Sequence, residues 1–264
     1  MTIAMQGCSS DSGGTSQSSD IDGTDPDGDD TTMNDVTMDD IIDEPPDETG
    51  TTPMVGHLSG RAPGGNIEEY NAPVVDADVV VLDIDPPLEA VSGEDGTFTM
   101  DVPHGLRMFR IEHPDYWSLL SVYMFRSVGE TNVIFPVPSR RFFEDMVEVL
   151  GRPIDPDLGM VEVSFSYSPD GGESATISAD YADALVFKYG FNESIEPSEG
   201  NALPSNGPNS VFFTNIEPGT TTVEVTGREG ITNCGLKFGA DEVAEWPVVA
   251  GAVTLVEAAC RPVN

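Results

Sequence analysis

The sequence predicts an all-β protein, built of two antiparallel β-sandwiches joined by a short helix and preceded by a disordered acidic tether. Three observations lead to this fold class. From Met54 onward, short runs of alternating apolar and polar residues are separated by Gly, Pro, Asp and Asn, as is typical of strands and turns. One later segment repeats its apolar residues at helical spacing. The first 53 residues show neither pattern.

The tether comprises residues 1–53, which are rich in Ser, Thr, Gly, Asp and Pro and contain no Lys or Arg. Such a segment cannot bury enough apolar surface to offset its ordering entropy, and its like charges repel. The run DIDGTDPDGDD raises the alternative of a calcium loop, because hard cations bind alternate carboxylates. Counted from Asp25, however, Asp30 stands where the turn needs Gly, and Val36 stands where Glu closes the site. A solvated acidic linker is the favoured interpretation.

Residues 54–138 form the first predicted sandwich. Phe98, Met100 and Val102 alternate with polar residues in TFTMDV, so we expect one face of that strand to be buried. The preceding GEDG supplies Gly96 for a turn residue with positive φ. The six candidate strands are 55–61, 77–83, 97–102, 107–113, 119–125 and 132–137.

Residues 139–158 are predicted to be a helix and linker. Ser139 is a suitable N-cap and Gly151 a suitable C-terminal stop, and the apolar residues between them fall on one stripe. We expect this helix to pack over the sandwiches as a connector. The stripe consists of Phe142, Phe143, Met146, Val147 and Leu150.

Residues 159–264 form the second predicted sandwich. Residues 190–209 are rich in Asn, Ser, Glu, Gly and Pro, which predicts a long exposed loop outside the core and a natural place for binding. The candidate strands are 160–166, 173–178, 184–189, 210–216, 220–227 and 252–260.

The order GHLSGR, APVVDADVVVLD and SGEDGTFTMDVPHGLRMFRIEHPDY resembles the carboxypeptidase regulatory-like domain, a transthyretin-like seven-stranded β-sandwich. The resemblance rests on Gly96 and Phe98 and on the turn from Pro103 to Gly105, and it departs at Asp115, where Gly is common. It implies an accessory sandwich domain. A fold of this kind does not define an activity.

The second half resembles a more distant version of the same module. VFFTNIEPGTTTVEVT carries its typical ending through Asn215, Ile216, Pro218 and Gly219. The resemblance therefore implies transthyretin- or Ig-like sandwiches in both halves.

Cys8 lies in a context that resembles the end of a bacterial lipoprotein signal, in which the cysteine is acylated. Gly7, Cys8 and Ser9 fit this pattern, whereas Met5 and Gln6 depart from it and the charged and apolar signal regions are missing. We therefore predict that the signal lies upstream of this start and that Cys8 anchors the chain in a membrane. An ordinary free cysteine in a tail is the alternative.

Cys234 and Cys260 are predicted to form a disulfide that closes the final strand onto an earlier one. A loop of this size gains about 3.5 kcal/mol in the chain-entropy model. Metal binding by the two thiols is the weaker alternative, because this half contains no His to complete a tetrahedral set. The pairing implies an oxidising compartment.

No catalytic residue, metal site or cofactor is predicted. The three histidines lack the His-x-x-Glu spacing of zinc peptidases, and neither a Gly-x-Ser-x-Gly elbow nor a phosphate-binding loop occurs. A site formed by His57, His104 and His113 with Asp101 or Asp115 is a minor alternative. A carbohydrate platform is another, if its aromatic residues were exposed; these are Tyr116, Trp117, Tyr123 and Phe125.

The net charge of −36, from 47 acidic and 11 basic residues, argues against nucleic acid as a partner because phosphates would be repelled. The sequence therefore predicts a non-catalytic lipoprotein of the cell envelope, in the outer membrane or periplasm, that serves as a binding or structural module. Its expected partners are the membrane, through Cys8, and an envelope protein or glycan. A secreted hydrolase or its accessory subunit, and a calcium-dependent adhesin, are the alternatives.

Overall fold

The structure is a computed structural model that describes residues 50–61, 72–125, 131–140, 151, 153–165, 171–188, 198–203, 209–230, 232–237 and 243–263. Within these ranges the regular secondary structure is nearly all β-strand, and the sheets enclose two hydrophobic cores, which confirms the all-β, sandwich-like fold class. No helix in the described ranges is long and apolar enough to cross a membrane.

The strands follow the alternating segments of the sequence closely. In chain order, the strands of the described ranges are β1 (Thr51–Arg61), β2 (Asp78–Val81), β3 (Leu88–Val91), β4 (Thr97–Pro103), β5 (Gly105–Glu112), β6 (Ser118–Phe125), β7 (Thr131–Pro138), β8 (Gly159–Phe165), β9 (Ser174–Ile177), β10 (Asp183–Lys188), β11 (Ser198–Glu199), β12 (Asn209–Ile216), β13 (Gly219–Thr221), β14 (Val223–Thr226), β15 (Thr232–Leu236), β16 (Trp246–Val248) and β17 (Ala252–Pro262).

A small sheet has the order β4-β1-β7, with β1 antiparallel to β4 and parallel to β7. Phe98 and Val102 of β4 are buried and Met100 packs against the same core, as the alternation predicts. Gly96, in the turn before β4, has a φ of 74° and a Cβ there would lie 2.7 Å from the Leu58 carbonyl oxygen. Both geometry and space therefore favour glycine at this turn.

A large sheet runs through both predicted sandwiches in the order β11-β10-β12-β8-β17-β6-β5-β2-β3, with β15 also paired to β17. The last strand joins the halves, because β17 lies between β6 and β8 and is parallel to both. Val253, for example, lies opposite Leu119 on one side and Met160 on the other. The domain boundaries at 54–138 and 159–264 stay a prediction, but the strands on either side form one continuous sheet.

The two hydrophobic cores lie on opposite faces of this sheet. In β17, Val253 and Leu255 point into the first core, whereas Val256 and Ala258 point into the second. The β4-β1-β7 sheet covers the first core, and the pairs β9–β14 and β13–β16 contribute the outer residues of the second. Successive side chains of a strand alternate between faces, so one strand can serve both cores.

Several sequence expectations differ from the structure in detail. β1 begins at Thr51, inside the predicted tether, because Thr52 and Met54 are already buried and paired with β4. The predicted strand 220–227 is two short strands, β13 and β14, that pair with different partners. Most of the predicted helix lies outside the described residues.

The prediction that residues 190–209 form an exposed loop outside the core is wrong for residues 198–199, which form a strand, and for Leu203, which is buried. Here β11 pairs with β10, and Leu203 is buried in the second core. The backbone N–H of Leu203 donates to the Glu173 carbonyl oxygen at 2.7 Å. A single apolar residue in a polar segment thus anchors this part of the chain.

Candidate functional site

The predicted disulfide between Cys234 and Cys260 is confirmed. The two cysteines lie directly opposite each other in the antiparallel β15–β17 pair, with their Cα atoms 4.0 Å apart. Cys260 is fully buried in the second core. Since both sulfurs are bonded to each other, they are not available as the thiolate ligands that a metal would need.

Two side-chain contacts reinforce β15 at either end. The Lys237 Nζ donates to Glu257 Oε2 of β17 at 2.9 Å. The Thr232 hydroxyl, at the start of β15, donates to the Oε1 of the fully buried Glu173 at 3.2 Å. The disulfide and the Lys237–Glu257 contact fix β15 against β17, whereas the Thr232–Glu173 contact ties the start of β15 to the segment before β9.

A buried ion pair links the small sheet to the large one. The Arg61 guanidinium, at the end of β1, lies 2.5 Å from Glu162 Oε1 on β8, and the Ser210 hydroxyl donates to the same oxygen at 2.7 Å. Glu162 is 0 % exposed and its side chain is on the face of the first core, between Phe212 and Leu255 in the sheet. A buried charge is tolerated when it is paired and hydrogen-bonded, so this cluster holds the two layers in one alignment.

The sequence analysis did not identify this ion pair. The sequence feature that could have indicated the ion pair is Glu162, because a charged residue is unusual in a strand such as β8 that is buried on both faces. Nothing in the sequence pattern indicated Arg61 as its partner, because the two residues are 101 positions apart.

The histidines do not form a common site. His104 and His113 lie at opposite ends of β5, roughly 30 Å apart at the usual rise of a strand. His57 lies in β1 opposite Thr97, and His113 Nδ1 accepts the backbone N–H of Asp115 at 3.1 Å. Among the described residues there is no group of three His, Cys, Asp or Glu side chains arranged to hold a metal ion.

The aromatic residues considered for a carbohydrate platform belong mainly to the core. Trp117, Tyr123 and Phe125 are buried, and Arg140 stacks over the Trp117 ring at 5.8 Å from its centroid. Burial raises the pKa of Tyr123, whose hydroxyl donates to the Ile134 carbonyl oxygen at 3.3 Å. These rings therefore stabilise the first core and offer no open stacking surface.

Tyr116 and Tyr181 are more accessible. Tyr116 is half-buried beside His113, and burial together with the Asp115 charge raises its pKa. Tyr181, which the sequence analysis did not single out, is 41 % exposed and packs edge-on against Phe213 at 4.9 Å. Each ring makes a contact within the chain, Tyr116 with His113 and Tyr181 with Phe213.

Asn215 has a structural role near the end of β12, where the pairing with β8 shifts register. Its φ is 55°, and its side chain accepts the backbone N–H of Asp155 at 2.8 Å and donates to the Pro153 carbonyl oxygen at 3.0 Å. Asn tolerates this left-handed conformation better than most residues. Asn215, one of the four residues that carry the resemblance in the second half, thus fastens the linker to the sheet.

Two predicted functional segments lie outside the described residues. These are Cys8, the predicted lipidation site, and the aspartates of the tether considered for calcium.

No family model matches this chain, and no curated protein matches it. Solved structures that this chain matches include the shaft pilin SpaA from Lactobacillus rhamnosus GG, at 11% identity over 81% of this chain and 99% of that chain, with a TM-score of 0.25. A DUF3823 family protein from Parabacteroides merdae is 13% identical over 67% of this chain and 90% of that chain, with a TM-score of 0.23. A family CBM26 module from Eubacterium rectale, solved with maltoheptaose, is 10% identical over 81% and 98%, also at 0.23. Similarity of this size does not distinguish a pilin from a maltoheptaose-binding module.

Proposed function

We propose that this chain is a non-catalytic lipoprotein of the cell envelope, a binding or structural module displayed from a membrane by its acidic tether. The observation that carries the proposal is the Cys234–Cys260 disulfide. Disulfides persist in oxidising, extracytoplasmic compartments and are rare in the cytosol. A disulfide in the central sheet therefore favours an exported protein.

The buried polar groups support a structural role. Arg61 and Glu162 satisfy each other between the two layers, and Glu173 accepts from Thr232, so these charged residues contribute to the architecture. The resemblance of residues 54–138 to a carboxypeptidase regulatory-like domain also favours an accessory module. The two rival functions, a secreted hydrolase and a calcium-dependent adhesin, have no comparable support from the described contacts.

Mass spectrometry of the protein from the membrane fraction of its native host tests the proposal. We expect a mature N-terminus at a diacylglycerol-modified Cys8 and a bonded pair of Cys234 and Cys260. A Cys8→Ser variant is the matched control, since it should lose the lipid and leave the membrane fraction with its disulfide intact. An unmodified Cys8 behind Met1, in a cytosolic protein with free C-terminal thiols, would refute the proposal.

A further inference from the structure

The strand that directly follows the tether is held on both sides. In β1, residues Thr51 to His57 pair with β4, and residues Met54 to Arg61 pair with β7. The side chains of Met54 and Leu58 are also buried in the first core. Moving β1 along its own axis would therefore disturb two strand pairs and a hydrophobic core together.

Contacts between the layers define the direction of β1. At its start, the Gly50 carbonyl oxygen accepts the backbone N–H of His104, and the adjacent Gly105 lies opposite Phe125, the last residue of β6. At its other end, the Arg61 carbonyl oxygen accepts the backbone N–H of Ser139 at 3.0 Å. Tyr116, just before β6, forms a bridge with Ser139. β1 therefore runs antiparallel to β6 in the facing layer.

This direction places both chain ends of the described fold on one side. Because β17 is parallel to β6, the end of β17 at Pro262 lies on the same side of the sheets as the start of β1 at Thr51. We call this side the tether end. The opposite side, the far end, contains the segments 113–117, 138–140 and 249–251, which adjoin the start of β6, the end of β7 and the start of β17.

The geometry makes the response to force directional. Hydrogen bonds lie perpendicular to the strands in an antiparallel pair such as β1–β4 and slanted across them in a parallel pair such as β1–β7, so a pull along β1 strains both ladders along their whole length. A pull between the tether and the far end acts along β1 in this way. A pull between the two chain ends acts across the strands, since both ends leave from the same side, and it separates the pairs one after another.

We propose that β1 is the force-resisting strand of this protein, which holds the module when tension runs from the tether to the far end. The fold resists tension between its two chain ends much less. This inference rests on the proposed function in one respect: it gives the tether a mechanical purpose. The difference in resistance between the two pulling directions depends on the fold and not on the proposed function.

Single-molecule pulling on the full chain tests the proposal. The protein is attached to a surface through the Cys8 thiol and pulled from a second residue that is replaced by an azide-bearing amino acid. This second residue is either Asp115, on the far end, or Val263, on the tether end, and both are exposed. Forced unfolding reports the unfolding barrier, and we expect the mean force at equal loading rate to be at least about twofold higher for the position 115 handle. Equal forces, or a higher force for position 263, would overturn the proposal.

A pair of proline variants tests the role of β1. Val55→Pro removes a backbone donor from the middle of β1, and Glu89→Pro makes the same change in the edge strand β3. We expect Val55→Pro to lower the mean unfolding force measured with the handle at position 115 to the value measured with the handle at position 263. Glu89→Pro should leave the difference between these two forces unchanged. If Val55→Pro does not fold, the two pulling directions in the natural sequence decide the matter.

The two proposals fail differently. Absence of lipid on Cys8 refutes the proposed function and does not change the forces, because Cys8 is far outside the sheets in sequence. Equal forces in both directions refute the force-resisting role of β1 and do not affect the lipidation result.

Discussion

Glu162 is a fully buried carboxylate whose charge is balanced by Arg61 and whose Oε1 also accepts from Ser210. We predict that Glu162→Leu or Arg61→Met alone lowers the free energy of unfolding by about 3–5 kcal/mol, because each leaves the other charge buried without its partner. The double variant should recover most of this loss, since two apolar side chains can fill the same space. Urea denaturation of the four proteins measures the difference.

An exposed ion pair provides the control for this cycle. Arg110 and Glu112 lie 3.6 Å apart with side chains 39 % and 47 % exposed, so Glu112→Gln should cost less than about 1 kcal/mol. Single variants at the buried pair that cost no more than this would contradict the structural role of the Arg61–Glu162 contact.

Tyr123 gives a prediction for alkaline pH. Burial raises its pKa above the ordinary value of 10.0, so the folded protein keeps the phenol protonated at pH values where the unfolded chain has lost the proton. The unfolded state then binds fewer protons, and the free energy of unfolding falls as pH rises above about 10. Below that pH, Tyr123 contributes no pH dependence.

Tyr123→Phe should therefore lose less stability than the natural protein between about pH 10 and pH 12. Urea denaturation at several pH values, combined with phenolate absorbance of the folded protein, measures both quantities. Ionisation of Tyr123 at its ordinary pKa in the folded state would refute the prediction.

At the scale of elements, the disulfide should matter most for β15. This strand pairs with β17, and the bond joins two directly opposite residues. Replacing both Cys234 and Cys260 by Ser should lower the free energy of unfolding by roughly 3.5 kcal/mol. Amide exchange in residues 232–237 should accelerate more than exchange in β8.

Cys8→Ser is the control for the disulfide variant, because it removes the sulfur of a cysteine that is not part of the Cys234–Cys260 bond. It should leave both stability and exchange unchanged. If the double variant shows no local acceleration in residues 232–237, the contacts of Lys237 and Thr232 are sufficient to hold β15 without the bond.

The sequence identified most strands because their core-facing residues alternate, as Phe98, Met100 and Val102 do in β4. It missed β3, β11, β15 and β16, which are short or polar and carry little alternation. TTTVEVTG reads as one strand, although β13 and β14 pair with different partners, since a break at one residue leaves the alternation intact.

The partners of β17 could not be predicted. Its continuous apolar run indicates a strand buried on both faces, but a local pattern does not state which strands flank it. The disulfide could be proposed from two cysteines and their separation, whereas the Arg61–Glu162 pair depends on how the layers stack and on strand register. Local periodicity predicts elements, and long-range packing decides their neighbours.

At the scale of the molecule, the shared sheet predicts cooperative unfolding. β17 contributes Val253 to the first core and Val256 to the second, so neither core can lose this strand independently. Calorimetry should show one transition whose calorimetric and van't Hoff enthalpies agree. Two resolved transitions, one for each predicted sandwich, would instead support independent domains divided within residues 139–158.

The position of β17 also has a consequence for how the protein is made. The strand that fills the centre of the large sheet follows all the other described strands in the chain, so β6 and β8 keep open edges until it is synthesised. Such pairings between distant parts of the chain form slowly, and unpaired edges invite aggregation. The large sheet therefore closes only after the other described strands have been made, and until then the edges of β6 and β8 can pair with other chains.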